Sequence, residues 1–270
     1  MMLKKEMILF LIFLTFIQCK APQGTEFEST FQSFDKTKIA FTDEGKGPAV
    51  ILIHGFINDG SAWNNSEVKK RLLQEGYRVI VPDMRGNGRS EKPKNPEAYQ
   101  NNAEVKDLVA LADYLKLKEY SAVGYSRGSI LLAKLLSQKN RISKAVIGGM
   151  GIDFTNPQWE RRIAFADAFS GRADPTEMTE GALTYARSIN ADLKILGFLQ
   201  DYQPVTSIAE LKNIKTKTLV IAGNLDKDNG DPEKLHELLP HSKFMIVKGD
   251  HNNTYKQNNF AEAVVDFLSH

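Results

Sequence analysis

The chain has 270 residues, 42% hydrophobic and 25% charged, with 35 Lys and Arg against 33 Asp and Glu for a net charge of +2. This is the make-up of a soluble globular protein and excludes a disordered, collagen-like or low-complexity chain. The charge balance leaves no excess of base for nucleic acid, and one cysteine excludes an intrachain disulfide, a thiolate zinc cage and a CxxC redox pair.

Residues 1–19 read as a leader outside the fold. Lys4 and Lys5 precede an uncharged apolar run, MILFLIFLTFI at 7–17. About 18 apolar residues are needed to span a bilayer, so the run has the shape of a signal-peptide core instead. The only cysteine, Cys19, follows two residues later, where the segment resembles a bacterial lipobox. It departs from that pattern at Phe16 and Gln18, where Leu and a small residue are usual. Three outcomes stay open: lipidation of Cys19, ordinary cleavage nearby, or an uncleaved anchor. All three export the domain, and a lipid on Cys19 ties it to a membrane. The polar stretch 20–28, with Pro22 and Gly24, reads as a tether to a domain over 29–270.

From Phe27 onward strand and helix patterns alternate. Segments 27–34 and 39–42 alternate apolar and polar residues, which predicts a half-exposed antiparallel edge pair. The runs at 49–53, 79–81, 122–123, 145–147, 219–222 and 244–247 are continuously apolar, as in parallel strands buried on both faces. Helical periodicity lies between them at 68–74, 103–115, 130–136, 233–239 and 260–268. The expected fold is α/β: a doubly wound, mostly parallel eight-stranded sheet. Residues 152–207 break the rhythm, with helical stretches and no clear strand. That is too long for a loop and reads as a small helical cap over the carboxyl ends of the strands, where open α/β sheets bind ligands.

The chemistry concentrates at those strand ends. Gly124-Tyr125-Ser126-Arg127-Gly128 links a buried strand to a helix. This is the Gly-x-Ser-x-Gly nucleophile elbow, a sharp turn that lifts the serine to a helix N-terminus where developing negative charge is favoured. Such an elbow goes with the chain order Ser, acid, His. His54 comes too early, His236 lies in a helical pattern, His241 precedes a strand on the wrong edge, and His270 ends the chain. His251 follows the last strand on the same edge as Ser126 and is the expected base. Two aspartates fit the acid: Asp226, in the Gly223-Asn224-Leu225-Asp226 turn, and Asp153, after the strand ending near Gly149. Asp226 is preferred, and Asp228 reads as a surface residue. Gly55 permits a turn that aims the Phe56 N–H inward, and with the Arg127 N–H it would form an oxyanion hole. His54 is expected to brace this loop.

These motifs resemble the α/β-hydrolase fold family of esterases, lipases, C–C bond hydrolases and haloperoxidase-like enzymes that need no cofactor. His54-Gly55-Phe56 is followed by Trp63, and Asp83-Met84-Arg85-Gly86-Asn87-Gly88-Arg89-Ser90 matches the family's Asp-x-Arg-Gly-x-Gly-x-Ser stretch. Tyr125 stands where the family often has His, and Arg127-Gly128-Ser129 where Met-Gly-Gly is common. The resemblance implies a serine hydrolase that forms an acyl-enzyme on Ser126 and uses no metal or organic cofactor. A small-molecule ester of short to medium acyl chain is the expected substrate, and a C–C, lactone or thioester bond is the alternative. Epoxide and haloalkane chemistry is disfavoured, because those relatives carry Asp where this chain has Ser126. A non-catalytic hydrolase-fold binding protein is the remaining class, but such proteins usually lose triad members. Phe154, Trp159 and Phe198 are the expected pocket residues. The Arg127 side chain either contacts the cap or solvent, or binds an acidic group of the substrate.

Overall fold

Eight strands form one mixed sheet in the computed structural model, which describes residues 27–64 and 66–270. The expected leader, Cys19 and tether residues 20–26 lie outside the described residues. The strands are β1 (Phe27–Gln32), β2 (Lys38–Glu44), β3 (Ala49–Ile53), β4 (Arg78–Pro82), β5 (Tyr120–Tyr125), β6 (Ile142–Gly148), β7 (Lys217–Gly223) and β8 (Ser242–Val247). Their order is β1-β2-β4-β3-β5-β6-β7-β8, with β2 antiparallel to both neighbours and β4 through β8 parallel. β1 opens two residues inside the stretch expected to be tether.

Alternation along the strands explains why the parallel runs are continuously apolar. In β3, Val50 and Leu52 face the side covered by α2 (Glu67–Gln74) and α10 (Asn258–Ser269), packing with Trp63, Leu72, Phe260 and Val264. Ile51 and Ile53 face the other side, with Leu108 and Leu111 of α3 (Ala103–Tyr114), Leu131 and Leu135 of α4 (Arg127–Leu136), and Leu235 of α9 (Pro232–Leu238). Each fully buried aliphatic side chain of this kind contributes about 1.5–3 kcal/mol. Local signals start the helices. Ser66 accepts from the Lys69 N–H at the head of α2, and Asp231 caps α9 ahead of Pro232.

Two strands differ from expectation. β2 is buried along Ile39–Thr42 because it lies between β1 and β4, so only β1 is the edge. β8 is half-exposed because it forms the opposite edge, leaving Met245 and Ile246 at 40% and 47% exposure. Hydrophobicity alone does not distinguish an edge strand from a central one.

Between β6 and β7 the chain leaves the sheet, and a 3₁₀ turn at Asp153–Thr155 leads into α5 (Glu160–Ser170), α6 (Glu177–Ser188), α7 (Leu193–Asp201) and α8 (Ile208–Lys212). The first three share a core of their own: Phe165, Phe169, Leu183, Ala186, Ile195, Leu196 and Leu199 pack together and onto Ile57 and Tyr99 from the sheet domain.

Candidate active site

The strand-to-helix turn after β5 is built by close approaches. A Cβ on Gly124 would meet the Gly128 carbonyl oxygen at 2.5 Å, and one on Gly128 would meet that of Ile53 at 2.2 Å. Only glycine lets β5, α4 and β3 come this near. Between them Ser126 adopts φ 53°, ψ −123°, a conformation that side-chain-bearing residues rarely hold. Neighbouring contacts fix it: the Ser126 N–H donates to the Gly148 carbonyl at 2.8 Å, and the Ser129 N–H donates to the Ser126 carbonyl at 2.8 Å. The Ser129 hydroxyl bridges the carbonyls of Gly124 and Gly148 at 2.9 and 2.8 Å.

Three expected side chains meet at the carboxyl edge. Ser126 Oγ lies 2.9 Å from His251 Nε2, and His251 Nδ1 lies 2.8 Å from Asp226 Oδ2. The Asp226 side chain is 3% exposed and the His251 ring 21%. With the Nδ1 proton held by the carboxylate, Nε2 is left to accept the serine proton. Asp153 is not part of this line. It sits in the 3₁₀ turn with its carboxylate against Gly230, where an added Cβ would meet Oδ1 at 2.5 Å. Asp228 is exposed, as expected. Phe56 and Arg127 line the same cavity as Ser126 and His251. Arg127 is the first residue of α4, so its N–H is among those that a helix leaves without an internal partner.

His54 braces the loop below. Its Nδ1 donates to the Gly55 carbonyl at 2.9 Å and its Nε2 accepts from the Met84 N–H at 3.0 Å. Burial pushes its pKa down despite the Gly55 bond, so the ring is held neutral in one tautomer. The loop after β4 is locked by its own motif. Asp83 accepts from the Gly60 and Arg89 N–H groups, each at 2.8 Å, while Arg85 grips Asp107 with two bonds of 2.6 Å. Burial would raise the Asp83 pKa, but the Arg89 side chain and these amides outweigh it and hold the carboxyl below its usual range.

Several site contacts have no individual signal in the sequence. The Tyr125 hydroxyl donates to the His251 carbonyl at 2.7 Å, so the residue where the resembled family often has His helps to hold His251 in place. The Asn229 side-chain amide lies 3.0 Å from His251 Nδ1, flanking Asp226. Of the expected pocket residues, only Trp159 lines the cavity. Phe154 belongs to the main core, and Phe198 packs on Tyr99 with ring centres 5.7 Å apart. Phe56, Phe165 and Tyr185 take their places on the wall. The reason is the docking of the cap: which helix faces turn inward depends on how α5, α6 and α7 pack together.

The Arg127 side chain contacts the cap. Its guanidinium makes a two-bond pair with Glu104 at 2.7 and 2.5 Å and donates to the Leu199 carbonyl of α7 at 2.7 Å, with both charged side chains about 95% buried. Removing one member of a buried pair strands the other's charge. Arg127→Met is therefore expected to destabilise the fold by about 3–5 kcal/mol, measured by urea unfolding. Adding Glu104→Gln should recover part of that loss. A change below about 1 kcal/mol in the single variant would show that the pair is not holding the cap.

A family model described as "alpha/beta hydrolase fold" matches residues 48–168. With the sheet order and the elbow, this shows that the chain has the α/β-hydrolase fold. It is 32% identical to an epoxide hydrolase of Caballeronia sordidicola over 154 residues, 57% of this chain and 46% of that protein. Among solved structures, an esterase from Exiguobacterium antarcticum aligns with a TM-score of 0.74 at 22% identity, covering 90% of this chain and all of that one. A bromoperoxidase from Bacillus anthracis aligns at 0.69 and 25% identity, over 90% and 100% of the two chains. The chain spans less than half the length of the curated relatives that it matches first.

Proposed function

We propose that this protein is a serine hydrolase that cleaves carboxylic esters of short to medium acyl chain. The observation that carries the reading is the Ser126–His251–Asp226 line, with both contacts under 3 Å at the end of a strained elbow. In this reading His251 takes the Ser126 proton as Oγ attacks the ester carbonyl, and the Phe56 and Arg127 amides hold the oxyanion. His251 then gives the proton to the leaving alcohol, and water, deprotonated by the same ring, releases the acid. Asp226 keeps the imidazole in one tautomer and stabilises its charged form. The cavity of about 580 Å³ accommodates a small ester, and Phe56, Trp159 and Phe165 offer apolar contact. The epoxide hydrolase relative does not redirect the reading, because an epoxide-opening carboxylate nucleophile has no counterpart at Ser126. A fluorophosphonate probe tests the proposal. It should label the protein at Ser126, located by mass spectrometry of the labelled peptide; an unlabelled protein would overturn it.

We also propose that the enzyme is exported and held on a membrane through Cys19. The support is sequence alone: the basic start, the 7–17 run and the position of the cysteine. Expressed with its leader in a bacterial host, the protein should fractionate with membranes, and Cys19→Ser should release it or block processing. One acyl chain binds a bilayer only marginally, so retention requires the several chains that lipoproteins carry. An unmodified Cys19 in the mature chain, seen by mass spectrometry, would refute lipidation and leave export standing.

A further inference from the structure

The wall of the Ser126 cavity has an unbalanced charge. Among the described residues it is lined by Arg127, Arg161, Arg162 and Lys256, and by no aspartate or glutamate. Arg127 is offset by Glu104. The other three have no carboxylate partner among the described residues. The Arg161 guanidinium lies 4.9 Å over the Phe165 ring, and the Lys256 ammonium 5.3 Å over that of Tyr255. Arg162 donates to three carbonyls, of Pro157, Gln200 and Asp201. Other cap carboxylates are paired elsewhere or exposed. Asp167 and Asp201 both hold Arg172, while Glu160, Glu177 and Glu180 are exposed.

A second observation points to the same wall. Gln200 and Gln203 are 6% and 7% exposed and both line the cavity, yet neither side-chain amide has a hydrogen-bond partner among the described residues. The two amides are not among the fully buried unpaired groups, so they open on the cavity and are free to bond a polar group of a ligand there. Guanidinium forks and amide N–H groups are planar donors that suit a carboxylate, and cations in a partly enclosed cleft draw in anions.

We infer that the substrate carries a free carboxylate, seated by Arg161, Gln200 and Gln203 with the Arg162 charge behind them, while Ser126 attacks an ester elsewhere in the same molecule. The chemistry rests on the serine-hydrolase reading; the anion site does not. Attack forms the Oγ–acyl bond and breaks the acyl–oxygen bond. The serine proton passes through His251 to the alcohol, and water then yields the acid and free Ser126. The seated carboxylate is unchanged throughout.

Two pairs of chromogenic esters test this. 4-Nitrophenyl hydrogen glutarate is compared with its methyl-capped diester, and 4-carboxyphenyl butyrate with its methyl ester. At least one free acid should exceed its capped partner tenfold or more in kcat/KM, mainly through KM, and the pair concerned identifies the acyl or alcohol side. That preference should shrink as NaCl is raised and fall at least fivefold in Arg161→Gln and in Gln203→Leu. Capped esters that match or beat the free acids, or a ratio unmoved in the variants, would overturn the inference. A reading free of turnover separates the two proposals. Glutarate should raise the Tm of Ser126→Ala, and do so less when Arg161→Gln is added. If no ester is cleaved but glutarate still binds in this way, the hydrolase reading falls and the carboxylate site stands. Absence of a shift, or a shift with inorganic phosphate in place of glutarate, would sink the carboxylate site.

Discussion

On the serine-hydrolase reading, Ser126→Ala is expected to lower kcat/KM for 4-nitrophenyl butyrate by about a thousandfold or more, because triad members act as a unit and losing a nucleophile removes the covalent route. The variant should fold normally. Ser126 holds its turn through backbone bonds to Gly148 and Ser129, which alanine keeps, and among the described residues its Oγ is bonded only to the His251 ring. Equal unfolding midpoints with lost turnover would place the hydroxyl in the chemistry. Near-full activity in the variant would exclude a serine mechanism.

Asp226→Asn should cost about as much, by a different route. The carboxylate holds the Nδ1 proton at 2.8 Å, and an amide in its place can present its own N–H and favour the opposite tautomer, with the proton on Nε2. His251 would then face Ser126 as a donor and could not accept its proton. A loss of about a thousandfold or more in kcat/KM is expected, by analogy with this substitution in other triads. Fluorophosphonate labelling should slow in parallel. Asp153→Asn should change turnover no more than about twofold, since Asp153 stands apart from His251. The reverse ranking would move the acid to the turn after β6.

The contrast between these aspartates indicates what a sequence carries. All eight strands were legible, because a run such as 49–53 is apolar on both faces only if both faces are covered. Ser126, Asp226 and His251 were legible because each belongs to a short turn whose strand declares which edge it occupies. The helical insertion was legible as an interruption of the strand rhythm, but its inward faces were not. Trp159 reaches the cavity and Phe154 and Phe198 do not, and nothing local distinguishes the three. The Arg127 partners lie 23 residues before it and 72 after it, beyond any periodicity. Asn229 shows the same limit, since its contact with His251 spans 22 residues and two loops.

Arg127 also bears on how a ligand reaches the serine. Its backbone begins α4 beside Ser126, and its side chain pins the carbonyl of Leu199, near the end of α7. Lifting α7 would strip an acceptor from a buried cation, so that margin of the cap is expected to stay down on the sheet domain. Beside α6 the cavity reaches solvent: Met178 and Tyr185 line it while remaining 47% and 49% exposed. A ligand is therefore expected to reach Ser126 past the exposed α6 side chains.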